Sequence, residues 1–514
     1  MTDAAIVGTG PNGLAAAVTL SRAGLKVSLF EAADTIGGGL RTTPLFDSNV
    51  VHDICAAVHP RAAASAFFRQ FDLPARGVRL LQPDLPYAHP LPGGHATAAW
   101  RSLTRTADHL GPDGPRWARL MGPLAARSPA VVDLVLSHHR ALPRDITAGA
   151  LFASRVLAHA TSHTPFTTQR AQALLTGVAA HSVGKLPSLP AAAVALLLAH
   201  TAHSSGWPLP EGGSARIADA MAADITAHGG VFHTGQRVKD LAEVGHFPLV
   251  LLDVGPNEFL AIGGKRLPGR YSRALRRYRY GPGAAKADFL VTGPIPWTNP
   301  LVGQAGTVHL GGTHADIVRQ ETVTAAGRCV DDPFVLVVDP AITDPSRAVP
   351  GKRPVWAYAH VPHGDTRDPV DLIRHRIEAY APGFTDTIIA SRGLSAAQYE
   401  TYNPNYVGGD ITSGAMTLRQ SLARPTARWD PYTTPLPGVF LCSAATPPGP
   451  SVHGMCGHLA ALSALRRHHG IRTPPSLTPD FADGPPKAQG KHPCNTRARR
   501  PSGRRARWIS DHQT

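Results

Sequence analysis

The stretch that decides the fold is AAIVGTGPNGLAAAVTLSRAGLKVSLFE, residues 4–31. Ala4–Val7 form a short apolar run of the kind that a buried parallel strand needs. A GxGxxG pattern follows at residues 8–13, and residues 14–23 have the composition of a helix that ends at a glycine. Residues 26–30 then predict a second strand with an acid after it. The order strand, glycine turn, helix, strand and acid is that of a dinucleotide-binding unit.

Each part of this unit has a physical task. A first glycine permits the tight turn, a second lets the backbone approach a pyrophosphate, and a third lets the helix pack closely on the strand. The helix N-terminus then faces the phosphates, and the acid accepts hydrogen bonds from a ribose hydroxyl, which disfavours NADP. The predicted contacts in this unit are Gly8, Gly10, Pro11, Asn12, Gly13 and Glu31.

The residues after the second strand indicate FAD rather than NAD. Residues 34–42 read DTIGGGLRT, and their small side chains let a second stretch of backbone come near the phosphates and the ribityl chain. We therefore predict one non-covalently bound FAD, with Gly38, Gly39 and Arg41 among its contacts. Only one GxGxxG is present, so no second nucleotide domain is expected.

Two later segments have the patterns that would complete the same site. In residues 206–254, Ile217, Met221 and Ile225 mark one face of a helix, and two strands are predicted after it. In residues 438–462, a strand and a Pro/Gly loop precede a helix whose predicted inward face is Met455, Leu459 and Leu462. The N-terminus of that helix would stabilise negative charge on a reduced flavin. The predicted contacts here are Ser443, Ser451, Val452, His453, Gly454 and Met455.

Metal and dithiol chemistry are disfavoured. His453, Cys456 and His458 are competent metal donors, but no fourth donor of familiar spacing follows them. The five cysteines contain no CxxC pair, which argues against a redox-active dithiol. We therefore predict no metal.

The chain resembles the phytoene desaturase-like flavoproteins, and most closely the group named pyridine nucleotide-disulfide oxidoreductase domain-containing protein 2. The resemblance covers about residues 4–468 and is carried by five motifs: VHDICAAVHP at 51–60, YGPGAAKADF at 280–289, GTVHLGGT at 306–313, NPNYVGGDI at 403–411 and TPPGPSVHGMCGHLAA at 446–461. It implies an α/β fold in which an inserted α+β substrate domain interrupts a Rossmann-like FAD domain. It also implies that Val238 lies against the adenine. Gly39 and Leu40 depart from the pair of small residues expected after the double glycine.

The predicted domain boundaries follow from these segments. Residues 1–70, 205–255 and 425–470 would form the FAD domain, and residues 71–204 and 256–424 the substrate domain. Residues 471–514 would be a basic disordered tail, since nine lysines and arginines but only three acids lie from Arg472 onward. That tail would contact nucleic acid or anionic lipid only through phosphate attraction, and a solvated end without a specific partner is the favoured interpretation.

Few catalytic residues are expected, because the flavin itself performs hydride transfer. Lys286 is the candidate, in a pattern similar to the strand of flavin amine oxidases whose lysine holds a water at flavin N5; pairing with Asp288 is the structural alternative. His59 and His453 are candidates to border the isoalloxazine, although each is compatible with a purely structural role. Asn405 and Asp410 lie in a glycine-rich loop that would approach the ligand or form a turn.

The leading hypothesis is a cytoplasmic FAD-dependent dehydrogenase or oxidase that acts on a hydrophobic, isoprenoid-like molecule. Its electron acceptor would be oxygen, a quinone or a protein, and peripheral contact with a membrane stays open. A flavin-dependent isomerase without net redox change and a non-enzymatic FAD-containing regulatory protein are the two alternatives. The odd number of cysteines and the absence of a signal-peptide pattern suggest the cytoplasm.

Overall fold

The structure is a computed structural model that describes residues 3–138, 144–161 and 164–480. One compact unit, Met1–Thr478, holds every helix and strand named below. The strands, in chain order, are β1 Ala4–Val7, β2 Val27–Phe30, β3 Thr42–Asp47, β4 Val50–Asp53, β5 Leu80–Leu81, β6 Leu85–Pro90, β7 Ala96–Ala99, β8 Leu209–Pro210, β9 Val231–His233, β10 Leu249–Leu252, β11 Gly283–Val291, β12 Ala305–Leu310, β13 Val335–Val338, β14 Arg353–Val361, β15 Ile388–Leu394 and β16 Val439–Leu441.

The helices connect and cover these strands. In chain order they are α1 Pro11–Arg22, α2 Pro60–Ala64, α3 Ala66–Phe71, α4 Leu103–Leu110, α5 Gly114–Ala126, α6 Ser128–Val135, α7 Ile146–His159, α8 Gln169–Ala179, α9 Leu189–Ala202, α10 Ala215–Ala227, α11 Pro256–Gly263, α12 Gly269–Arg276, α13 His314–Ala325, α14 Val370–Glu378, α15 Ala396–Tyr402, α16 Leu418–Leu422 and α17 Met455–His468. No helix of the described ranges has both the length and the apolar character that a membrane crossing requires.

A five-stranded parallel sheet carries the dinucleotide-binding unit. Its strand order is β16-β10-β1-β2-β9, so strands from three distant parts of the chain lie side by side. The buried strand β1 pairs with β2 on one side and β10 on the other. The sheet, with helices packed on it, confirms the predicted α/β class with a Rossmann-like part.

A second, seven-stranded sheet is mixed rather than parallel. Its order is β15-β11-β14-β13-β12-β6-β7, with antiparallel pairs except for β12 beside β6. Its strands fall in residues 85–99 and 283–394, and helices α4–α9 follow β7 as one run, which is the segregation typical of an α+β arrangement. The domain boundaries themselves stay a prediction.

The predicted elements agree with the structure in type but differ at their ends. Helix α1 begins at Pro11 instead of residue 14, because proline suits the first helical turn, where its missing N–H has no partner to lose. Ile217, Met221 and Ile225 are buried on α10, as predicted. On α17, however, Leu459 and Leu462 are only partly buried, while the small residues Gly457, Ala460, Ala461 and Ala464 are fully or almost fully buried.

The tail begins later than predicted. Leu477 is only 1% exposed and belongs to the core cluster that includes α1 and α10. The backbone carbonyls of Leu477 and Thr478 accept hydrogen bonds from Arg76 and Arg22 at 3.1 and 2.7 Å. Disorder from residue 471 was therefore wrong for residues 471–478. Residues 481–514, which hold most of the tail's positive charge, lie outside the described residues.

Candidate active site

The glycine turn between β1 and α1 is as tight as the sequence predicts. Gly8 has a φ of +95°, a conformation that favours glycine. A Cβ on Gly13 would lie 2.1 Å from the Gly8 carbonyl oxygen, so the helix can approach the strand only with glycine there. The turn therefore presents the first N–H groups of α1 at the carboxyl edge of the parallel sheet.

Asp253, which the sequence analysis missed, lies at this helix end. It follows β10 directly, and its Oδ2 accepts a hydrogen bond from the Gly13 N–H at 2.9 Å. Burial and the nearby Glu31 raise the pKa of the Asp253 carboxyl to about 7 despite that bond. Because carboxyl ends of neighbouring parallel strands meet at one edge, an acid directly after the predicted strand was the signal that could have revealed it.

Glu31 is held by its neighbours at the end of β2. Its carboxylate accepts hydrogen bonds from the Thr9 N–H at 3.0 Å, the Thr9 hydroxyl at 2.5 Å and the Ala33 N–H at 3.0 Å. Arg41 lies 3.2 Å from the same carboxylate and also donates to the Thr35 carbonyl at 2.7 Å. Glu31 and Arg41 thus form one polar cluster beside the glycine turn, and their predicted contacts with FAD stay predictions.

The second glycine stretch approaches the first. A Cβ on Gly38 would lie 3.0 Å from the Gly10 Cα, and a Cβ on Gly39 would lie 2.6 Å from the Tyr406 hydroxyl. The Tyr402 hydroxyl donates to the Gly38 carbonyl at 2.9 Å. The fold accommodates leucine at position 40, where the resemblance leads one to expect a small residue. Leu40 is fully buried, and only Gly39 faces the ligand space.

A cavity of about 270 Å³ opens between this glycine loop and the seven-stranded sheet. One side consists of predicted FAD contacts, and the lining residues among them are Gly10, Pro11, Asn12, Gly39, Ser443, Ser451 and Val452. The other side is largely aromatic and aliphatic, formed by Leu198, Trp207, Leu336, Val338, Trp356 and Tyr358. The sequence analysis missed this second wall, because its residues come from separate segments whose pairing no local pattern reveals.

The remaining predicted FAD contacts do not line this cavity. Gly8 and Gly13 pack behind the turn, and Gly38 lies against Gly10. Gly454, at the start of α17, leaves room for Phe67, and Met455 is buried in the core. Val238 is 6% exposed in a cluster with Ala5 and Leu252, so it packs in the core at this edge of the sheet.

The two histidine candidates make hydrogen bonds within the protein, and their predicted place beside the isoalloxazine stays a prediction. His453 donates from Nε2 to the Gly449 carbonyl at 3.0 Å and accepts at Nδ1 from the Met455 N–H at 3.0 Å. The Nε2 of His59 lies 2.8 Å from the Ser214 hydroxyl. Burial lowers the pKa of His59 to about 4 and that of His453 to about 3, so both rings are neutral. Neither ring lines the cavity, although their neighbours in sequence do.

Lys286 lies in the middle of β11, not at a strand end, and is 1% exposed. Its ammonium contacts the Asp288 carboxylate and lies 5.9 Å from the centre of a Trp356 ring. Burial lowers the pKa of Lys286, while Asp288 opposes this shift. Lys286 does not line the cavity. Cys55 does line it, and the charge of Lys286 lowers the pKa of the Cys55 thiol, which burial raises.

Asn405 and Asp410 differ in role. Asn405 lines the cavity, accepts from the Gly255 N–H at 2.7 Å and donates to the Asp253 carbonyl at 3.1 Å. The Asp410 carboxylate instead accepts from the Gly281 and Gly414 N–H groups, which makes it a turn residue. Asn405 thus ties the loop before α16 to the end of β10.

The residues present fit an FAD. Gly38 lets the second glycine stretch approach Gly10, which lines the cavity, and the buried Asn12 Oδ1 has no hydrogen-bond partner within the protein. The glycine loop borders a cavity whose opposite wall is apolar, as expected for a site that holds a cofactor beside an apolar ligand. These features do not depend on any relative.

Comparisons with known proteins agree with this assignment. Residues 12–257 match the family described as flavin containing amine oxidoreductase. The pyridine nucleotide-disulfide oxidoreductase domain-containing protein 2 of Rattus norvegicus is 25% identical over 298 residues, which are 51% of each chain. The neurosporene-forming phytoene desaturase of Cereibacter sphaeroides is 26% identical over 279 residues, 49% of this chain and 52% of that protein. The chain spans about half the length of these curated relatives.

A solved structure extends the likeness to the whole fold. The crystal structure of an oxidoreductase from Methanosarcina mazei superposes with a TM-score of 0.56 at 16% identity, covering 91% of this chain and 100% of that one. At this identity the likeness shows the fold alone. The family match and the residues of the site support FAD as the cofactor.

Proposed function

We propose that this chain, which resembles the phytoene desaturase-like flavoproteins and binds FAD, is an FAD-dependent oxidoreductase. It would take hydride from a hydrophobic, isoprenoid-like substrate. The two relatives above and the family match support the reaction class. The isoprenoid-like character rests on the phytoene desaturase likeness alone. Oxygen, a quinone or a protein would accept the electrons, and peripheral membrane contact stays part of the proposal.

The observation that carries this proposal is the two-sided cavity. Its glycine-loop side fits the cofactor, and its opposite wall consists of Leu336 and Val338 from β13, Trp356 and Tyr358 from β14, and Leu198 from α9. Burying an apolar molecule against such a wall contributes about 25 cal/mol for each Å² removed from water. A substrate held there would lie directly against the flavin-binding loops.

FAD supplies the redox step when it is bound, by accepting two electrons as hydride. The protein's part is to orient the substrate and to exclude water, which the aromatic wall does. The N-terminus of α17 would stabilise negative charge on the reduced cofactor. Asn405 and Ser443 add hydrogen-bonding groups at the cavity surface.

Lys286 stays the proposed catalytic lysine, now with a structural condition. Its ammonium is engaged by Asp288 and does not line the cavity, so holding a water near the flavin requires the side chain to leave that ion pair. If the pair with Asp288 persists in the loaded protein, Lys286 acts by positioning β11 instead.

An anaerobic screen of apolar alcohols, amines and polyenes, read as bleaching of the flavin absorbance, tests the proposal. A reducing substrate should bleach the wild type and the surface variant Leu422→Asp but not Val338→Asp, whose charge would face the cavity. All three proteins should keep FAD. If Val338→Asp is reduced as fast as wild type, or only polar compounds reduce the flavin, the apolar substrate site is contradicted; turnover without bleaching indicates an isomerase.

A further inference from the structure

One cation lies in the wall of the cavity, whose side opposite the glycine loop is largely apolar. Arg61, the second residue of α2, is the only lysine or arginine among the described residues that line it. Its Nη1 donates to the Pro450 carbonyl at 2.8 Å, which fixes the side chain beside the C-terminal FAD loop. A carbonyl satisfies one donor of the guanidinium but does not neutralise its charge.

No acid in the described ranges compensates Arg61. The only carboxylate in the same lining is Asp253, which is bound to the Gly13 N–H and whose pKa responds to Glu31, not to Arg61. Burial alone lowers the pKa of Arg61 to about 10, with no acidic group opposing the shift. Arg61 is half-buried, and a charge withdrawn from water is normally paired, because leaving it without a partner is costly.

The groups around Arg61 do not supply the missing charge. The nearby His181 lines the cavity, and its Nε2 lies 2.9 Å from the Nε2 of His309. Burial lowers the pKa of His181 to about 3, so this ring is neutral and adds no competing cation. The rest of the nearby wall, including Trp207 and Leu198, is apolar.

We propose that Arg61 binds the carboxylate of the substrate, whose apolar body lies along the aromatic wall, so that the substrate class is an apolar carboxylic acid. A guanidinium suits this task because its planar donors match the two carboxylate oxygens. The inference rests on the proposed function, because only that function makes the bound acid the substrate. The binding itself needs no redox step.

Calorimetric titration of the FAD-loaded protein with octanoate, 1-octanol and methyl octanoate tests the pairing. Wild type should bind octanoate about ten- to a hundredfold more tightly than either neutral probe, the usual range for a charge-assisted hydrogen bond. Arg61→Gln should lose this preference while keeping its affinity for 1-octanol. The exposed Arg79→Gln should behave as wild type.

The controls separate this inference from its alternatives. If Arg61 instead serves an anionic group of FAD, Arg61→Gln will weaken FAD affinity by a similar factor and leave octanoate binding unchanged, which overturns the proposal. The comparison of octanoate with its methyl ester in wild type needs no variant, and equal affinities would also overturn it. Because binding is measured without turnover, a failed substrate screen does not affect this result, and the two proposals fail separately.

Discussion

Gly10 shows how one missing side chain defines the cofactor site. A Cβ there would lie 2.7 Å from the Asp253 carboxylate and would enter the space that a pyrophosphate needs. We expect Gly10→Val to abolish FAD retention. The matched Gly293→Val, at a position with nothing within 4 Å of its Cβ, should keep it. Flavin absorbance after gel filtration measures both, and full occupancy in Gly10→Val would remove Gly10 from the site.

Asp253 makes the same helix end sensitive to pH. Its pKa of about 7 lies above the unfolded value, so the native protein holds a proton that the unfolded chain has lost. The stability of the FAD-free protein should therefore fall as the pH rises from about 4 to about 7, because the native state binds more protons in that window.

Ionised Asp253 should also repel the pyrophosphate. We expect FAD affinity to fall by roughly tenfold between pH 6 and pH 8, equivalent to about one pKa unit of interaction. Asp253→Asn should flatten this dependence, whereas Asp84→Asn, at an exposed ion pair, should preserve it. Fluorescence titration of the FAD-free protein across this range is the measurement; parallel curves for Asp253→Asn and wild type would exclude Asp253 as the cause.

Lys286 can be tested as a catalytic residue apart from its ion pair. Lys286→Met keeps the length but removes the charge and all three donors, and it leaves Asp288 buried without its partner. We therefore compare it with Lys286→Met/Asp288→Asn and with Lys352→Met, which breaks the more exposed pair with Asp47.

If Lys286 holds a water at the flavin, both Lys286 variants should retain FAD and slow flavin reduction or reoxidation by roughly tenfold to a thousandfold. Lys352→Met should not. Rapid-mixing kinetics measures each half-reaction. Normal rates in the double variant would mean that Lys286 serves only to pair with Asp288 inside the second sheet.

At the scale of elements, helices α1 and α17 meet through small residues. A Cβ on Gly457 would lie 1.8 Å from the Asn12 carbonyl oxygen, so the two backbones are nearly in contact. We expect Gly457→Ala to lower the free energy of unfolding by about 1–3 kcal/mol and to weaken FAD binding by displacing the start of α1. In Gly269→Ala on α12, where the nearest atom is 3.7 Å away, the change should stay within about 1 kcal/mol. Urea unfolding compares them; equal stabilities would mean that the helices can separate without loss.

These elements show what the sequence could and could not predict. The unit β1-α1-β2 was predictable, because apolar runs, glycines and an acid follow each other within one local stretch. The buried face of α17 was not, since hydropathy favours leucines while close helix packing selects Gly457, Ala460 and Ala464. Arg61 and the aromatic wall could not be assembled from sequence, because strands β13 and β14 meet the first segment only in the fold.

At the scale of the whole molecule, Thr478 marks the end of the compact unit. Removing residues 479–514 should leave the melting temperature and FAD content unchanged. Removing residues 472–514 should cost about 2–3 kcal/mol, because it also exposes the core around Leu477 and takes the carbonyl partners of Arg22 and Arg76. Thermal unfolding of the two truncated proteins tests this, and equal melting temperatures would show that Leu477 contributes nothing.

The five-stranded parallel sheet also dictates when the site can exist during synthesis. Strand β1 is made well before its sheet is complete, because β16 follows roughly 430 residues later in the chain. At about 5–20 residues per second this interval lasts about 20 to 90 seconds. During this interval the glycine loop of the nascent chain at first lacks β10, and it lacks β16 and α17 until the end. A ribosome stalled before α17 should therefore carry a colourless chain, whose parallel sheet stays incomplete until β16 has been made.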